Sequence, residues 1–160
     1  MLVANAYAQG LDHFHAANII RSMENIKTPR TGRHCVSMMH CHLVFITKYR
    51  EGLFTAEHLE SLHSIFAKVC EDFEAELVTF NGEKDHVHLL VNYPPKVSIS
   101  ALVNSLKGAS SRRIKRLYPE LNQPAYRGNA LWSPSYFAGS VGGASIEAVQ
   151  EYIRARKTPD

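Results

Sequence analysis

Two runs of β-forming residues, Glu76 to Phe80 and His86 to Tyr93, are separated by a segment that opens with Asn81-Gly82 and closes with Asp85. Both Asn and Gly tolerate positive φ, so the pair is a hairpin signal with a physical cause, and the runs are expected to be antiparallel neighbours. Five residues are long for a two-residue turn, which predicts a short connection carrying Glu83 to Asp85. Pro94-Pro95 stops the second run.

The segments around this hairpin supply its cover. Upstream, Cys35 to Tyr49 is rich in β-formers and too apolar for a surface loop, which predicts a long, central first strand. Thr55 caps a predicted helix to about Phe73, with Leu59, Leu62, Phe66, Val69 and Phe73 as its buried stripe. Downstream, a helix is expected from Ser98 or Ser100 to about Tyr118, with Ile99, Leu102, Val103, Leu106, Ile114 and Leu117 inward. A loop containing Pro119, Pro124 and Gly128 follows, then a fourth strand from Trp132 to near Val141, broken by Gly142-Gly143. The last helix starts at the N-cap Ser145 and runs through Arg156, with Ile146, Val149 and Ile153 buried and Tyr152 beside that stripe. This order predicts an α+β, ferredoxin-like (RRM-like) open antiparallel sheet with two packing helices and a C-terminal helix carrying the tyrosine.

At 160 residues and 45% hydrophobic side chains, the chain has material for one core. Residues 1–32 show no period and end in the breaker-rich Lys27-Thr28-Pro29-Arg30-Thr31-Gly32-Arg33, so they are expected to be an irregular N-terminal extension. Residues 33–160 form a single domain on this reading, and Met23 is the expected natural start. No apolar run reaches the roughly 20 residues of a membrane helix, and the N-terminus lacks a secretory pattern; a cytoplasmic location is expected. Cys35, Cys41 and Cys70 are odd in number and contain no Cys-x-x-Cys, which argues for reduced thiols rather than a disulfide framework.

Charge and histidine placement carry the functional signal. From Lys107 to Arg127 stand six basic residues (Lys107, Arg112, Arg113, Lys115, Arg116, Arg127) against the single acid Glu120, a patch that suits a phosphate backbone. Lys107, Gly108, Ser110 and Ser111 lie where small and hydroxyl side chains would admit a phosphate. Three His-x-His pairs occur: His13/His15, His40/His42 and His86/His88. On a strand such residues share one face, where neutral imidazoles can hold a divalent cation. The first pair lies in the extension, and the second has apolar same-parity neighbours (Met38, Val44, Ile46) that favour sheet packing. His86 and His88 remain.

The stretches His42 to Arg50, Asp85 to Leu90, Leu106 to Ser111, Leu131 to Phe137 and Glu151-Tyr152-Ile153 resemble, in order and spacing, the single-tyrosine HuH transposases of the transposase A type. The resemblance covers residues 33 to 157. It implies cleavage and rejoining of single-stranded DNA at insertion-sequence ends through a covalent 5′-phosphotyrosine, with recognition of subterminal hairpins. By position, Tyr152 is the implied nucleophile, and His86 and His88 the implied ligands of Mg2+ or Mn2+. The family commonly has a glutamine four residues after the tyrosine as a further ligand. Arg156 stands there, and a guanidinium has no lone pair to donate; Glu83, where some relatives place an acid, is the substitute candidate. Gln150 lies on the other side of the helix. The resemblance further implies a homodimer whose active sites are shared between subunits. Lys107, Arg112, Arg113 and Arg116 are the implied DNA contacts, with Lys48, Arg50, Arg127 and Trp132 beside them.

Two other readings use the same residues: a domesticated HuH nicking enzyme, replication initiator or relaxase, and a non-catalytic ferredoxin-like nucleic-acid-binding module, which the Arg156 departure keeps open as the lesser reading. A serine or cysteine hydrolase ranks last, since no Ser or Cys is paired with a base by its motif.

Overall fold

The computed structural model describes residues 30–122 and 129–140. The expectations for the C-terminal helix, Tyr152, Gln150, Arg156, Arg127, His13 and His15 lie outside the described residues. The chain divides into two compact units, Met1–Met38 and Met39–Asp160. In the first, β1 (Arg30–Thr31) and β2 (Val36–Ser37) form a small antiparallel hairpin, closed by Gly32 N–H donating to Cys35 O at 2.7 Å. Strand structure here replaces the expected linker around Arg30.

The second unit contains β3 (His40–Ile46), α1 (Ala56–Asp72), β4 (Glu76–Gly82), β5 (His86–Asn92), α2 (Ile99–Leu117) and β6 (Phe137–Ser140). The sheet order is β4-β5-β3-β6 and every pairing is antiparallel. This is the expected split βαβ plan: β3 and β5 occupy the centre, and each helix connects strands that are not neighbours.

Alternation along the central strands sorts their side chains onto two faces. Cys41, Leu43 and Phe45 of β3 and Val87, Leu89 and Val91 of β5 face the helices. They form one buried core with Leu62, Phe66 and Val69 of α1 and Leu102, Val103, Leu106 and Ile114 of α2. The opposite parity puts His40, His42, Val44 and Ile46 beside His86, His88, Leu90 and Asn92 on the other face. There Val44, Ile46 and Phe137 make a second, smaller apolar cluster.

Helix starts follow their caps. Thr55 Oγ1 accepts from His58 N–H, while His58 Nδ1 accepts from Thr55 N–H, a capping box with histidine in the usual Glu/Gln position. Ser98 caps α2 through Ala101 N–H. Leu117, expected on the inward stripe, is 60% exposed because the core contact of α2 ends at Ile114.

Three boundaries differ from expectation for local reasons. The expected first strand is interrupted after Ser37 and ends at Ile46, where the chain leaves the ladder into a 3-10 turn, Lys48–Arg50, with Tyr49 and Arg50 at φ 58° and 54°. Strand β4 extends through Asn81-Gly82, which pair with His88 and Val87, so the turn is Glu83 to Asp85, closed by Glu83 N–H to His86 O at 2.8 Å. Gly82 marks a close approach rather than a turn: a Cβ there would meet the side-chain methyls of Leu59 of α1, which would have to shift. The fourth strand begins at Phe137 rather than Trp132, which forms an isolated bridge to Thr47.

Candidate functional site

Adjacent parity on β5 puts His86 and His88 on the face away from the helices, with ring centroids 5.1 Å apart and planes at 78°. Nδ1 of each ring lies within hydrogen-bond distance of a neighbouring side chain. His86 Nδ1 lies 2.6 Å from Asp85 Oδ1, and Asp85 Oδ2 accepts from Arg50 Nε at 2.7 Å. His88 Nδ1 lies 3.3 Å from Nε2 of His42, which reaches it from β3 as a diagonal neighbour; the two centroids are 5.4 Å apart. Phe137 of β6 closes the other side of His42 in an edge contact.

The electrostatics follow from this packing. Burial pushes the Asp85 carboxyl up, but the hydrogen bonds and charges of His86 and Arg50 outweigh it and hold it below the usual carboxylate range. As an ionised acceptor, Asp85 Oδ1 can take a hydrogen bond from a His86 Nδ1–H. Burial lowers the pKa of His42, keeping it a neutral partner for His88. Either ring can donate in the His88 Nδ1–His42 Nε2 contact, depending on tautomer.

These residues fit a divalent cation as two nitrogen donors on one face, each steadied through its second nitrogen, as metal-binding histidines ordinarily are. Among the described residues no group of three or more His, Cys, Asp or Glu side chains is placed to hold a metal ion. Glu83 is exposed on the β4–β5 turn, and the carboxylate brought to the pair is that of Asp85.

A family model described as "Transposase IS200 like" matches residues 35–156. The chain belongs to the IS200-like transposase family. The ISDra2 transposase TnpA of Deinococcus radiodurans is 34% identical over 127 residues, covering 79% of this chain and 90% of that protein. The transposase for insertion sequence element IS200 of Salmonella typhimurium is 32% identical over 119 residues, 74% of this chain and 77% of that one. A crystal structure of a candidate transposase from Deinococcus radiodurans R1 superposes with a TM-score of 0.73 at 33% identity, over 81% of this chain and 98% of the other. The ferredoxin-like arrangement is that of its family.

The segment matched in this IS200-like transposase includes Tyr152 and Arg156. The basic side chains expected to meet DNA are placed in two different ways. Arg112, Arg113 and Arg116 are exposed on α2. Lys107, by contrast, directs its ammonium at three backbone oxygens, Ser133 O at 2.6 Å and Pro134 O and Ser135 O at 3.2 Å each. Trp132 is 6% exposed, with its ring against Phe45, Phe54 and Phe66 and its indole N–H on Ser110 Oγ. Ser110 itself is fully buried, so it offers no approach to a phosphate. Lys48 lies over the Tyr49 ring, its N–H donating to Leu131 O, and Arg50 sits on Asp85. Among the described residues no helix is long and apolar enough to cross a membrane.

Asp85, and His42 as the neighbour of His88, are residues that sequence reasoning did not assign to the site, and Arg50, expected at the DNA, is the partner of Asp85. The signal for Asp85 was adjacency to His86. For His42 it was the shared parity of two neighbouring strands, which becomes a contact only once the register Val44↔His88 is known.

Proposed function

We propose that this transposase cleaves and rejoins single-stranded DNA with Tyr152 as nucleophile and His86 and His88 as ligands of Mg2+ or Mn2+. The observation that supports the reading is the pair of imidazoles on one sheet face, with Nδ1 of each within hydrogen-bond distance of a neighbouring side chain, in a member of this family. When bound, the cation polarises the scissile phosphate and screens its charge. The Tyr152 phenol loses its proton and its oxygen attacks phosphorus; the P–O3′ bond breaks, a 5′-phosphotyrosine forms, and the 3′-hydroxyl leaves with a proton. The released hydroxyl reverses the step on another strand, so rejoining needs no nucleotide cofactor.

Subterminal hairpins are the proposed DNA partner, gripped by the exposed Arg112, Arg113 and Arg116 and by Arg127. Lys107 and Trp132 hold the loop and core instead. A homodimer in which the tyrosine helix of one subunit completes the histidine pair of the other supplies the missing part of the site. Water completes the metal shell in place of the family's glutamine, because Arg156 cannot.

Incubating the protein with hairpin-bearing single-stranded DNA and either metal tests the reading. A denaturation-resistant adduct is expected, absent from Tyr152→Phe and from His86→Ala. Hairpin binding without any adduct under both metals points instead to a non-catalytic nucleic-acid-binding module.

A further inference from the structure

The connection after β3 and the turn before β5 are bound together more tightly than either needs for its own sake. Thr47 is fully buried; its N–H donates to Asp85 O at 2.9 Å, and its hydroxyl lies 2.7 Å from Glu51 O and 3.2 Å from Asp85 O. Arg50 N–H returns to Thr47 O at 2.9 Å, and Leu53 and Phe54 N–H both donate to Lys84 O, at 2.8 and 3.0 Å. Within this clamp Tyr49 and Arg50 adopt positive φ although neither is glycine. Consecutive residues hold that conformation only where their surroundings over-determine it. Its result is specific: Arg50 Nε reaches one oxygen of Asp85 and leaves the other for His86 Nδ1, with all three side chains largely enclosed, at 18%, 22% and 13% exposure.

We propose that Thr47, Arg50 and Asp85 form a brace that positions His86, fixing its Nδ1–H tautomer and ring plane so that Nε2 faces the cation site. In this assignment Arg50 is a positioning residue acting through Asp85, not a DNA backbone contact. A carboxylate on the outer nitrogen of a ligating histidine orients the ring and raises its basicity. A second donor on that carboxylate stops it from rotating away. This inference rests on the reading of His86 and His88 as metal ligands.

The test uses the full chain, 15N-labelled and metal-free, with long-range 1H–15N correlations at pH 8.5 to assign the His86 tautomer, followed by calorimetric titration with Mn2+. Nδ1–H is expected at His86 in the unmodified protein. Asp85→Asn and Arg50→Gln should mix the tautomers at His86, leave those of His88 unchanged, and weaken Mn2+ binding about 10- to 100-fold. An Nε2–H His86 in the unmodified protein overturns the brace without any variant. So do variants that melt earlier yet keep both the tautomer and the Mn2+ affinity, the behaviour of a merely structural ion pair. Mn2+ binding that survives His86→Ala contradicts the metal reading instead, and the tautomer then decides the brace by itself.

Discussion

The indole Nε1–H of Trp132 donates to Ser110 Oγ at 2.9 Å inside the core, and the Ser110 hydroxyl donates in turn to Lys107 O at 3.1 Å. With the Lys107 ammonium on the Ser133 to Ser135 carbonyls, α2 and the loop before β6 are tied at both ends of one short chain of contacts. Trp132→Ala should therefore destabilise the fold by about 3–5 kcal/mol, the cost of emptying a large aromatic site. Ser110→Ala, which leaves a buried N–H unpaired, should cost about 1–3 kcal/mol. Urea denaturation measures both. A Trp132 variant of unchanged stability but weakened hairpin binding would return this residue to the DNA face.

Gly82→Ala is expected to lower stability by about 1–3 kcal/mol, as overpacking does, because the new methyl meets Leu59. Adding Leu59→Ala should recover part of that loss. Equal penalties in both backgrounds would mean that backbone conformation, not packing, demands the glycine.

Thiol reactivity separates the three cysteines. Cys35 is exposed, whereas Cys41 and Cys70 are buried, and burial pushes the Cys70 thiol up to about 12. With an aromatic disulfide reagent at pH 8, Cys35 should react rapidly and Cys70 only as fast as the protein opens. Rapid loss of all three thiols under native conditions would contradict the packing of α1.

Asp85 sets an acid limit. Its folded pKa is depressed, so its contribution to stability is present above the unfolded aspartate value of about 3.9 and is lost as pH falls through the lower folded value. The stability gap between the protein and Asp85→Asn should be widest near neutrality and close below about pH 4. Urea midpoints at pH 7 and pH 3 measure it. A gap independent of pH would show that the carboxylate's charge is not what matters.

Restoring a donor at position 156 should strengthen the cation site. Arg156→Gln is expected to lower the Mn2+ concentration for half-maximal adduct formation by about tenfold, the scale on which changes to a ligand shell are felt. No change would mean that this position does not reach the metal.

The architecture was legible because its signals are local: the β-forming runs of β3 and β5, the caps Thr55 and Ser98, and a helical stripe on each of α1 and α2. His86 and His88 were legible as a same-face pair for the same reason. What escaped depends on contacts between distant segments. Nothing in Thr47-Lys48-Tyr49-Arg50 announces two left-handed residues, because the turn is imposed by Asp85 and its neighbours across the sheet. Lys107 and Arg112 are both basic positions on one helix, yet only the register of α2 against the loop before β6 turns one inward and leaves the other exposed. Gly82 follows Asn81 in a sequence that spells a turn, and its purpose is set by a leucine on another element.

Mass spectrometry of the protein–DNA adduct tests the central claim most directly. After incubation of the full chain with hairpin-bearing single-stranded DNA and Mn2+, then protease and nuclease digestion, the peptide containing Tyr152 should carry a 5′-linked nucleotide phosphate, and the His86→Ala protein should yield none. A nucleotide on any other residue, or quantitative recovery of uncleaved DNA from a protein that binds it, would contradict the account.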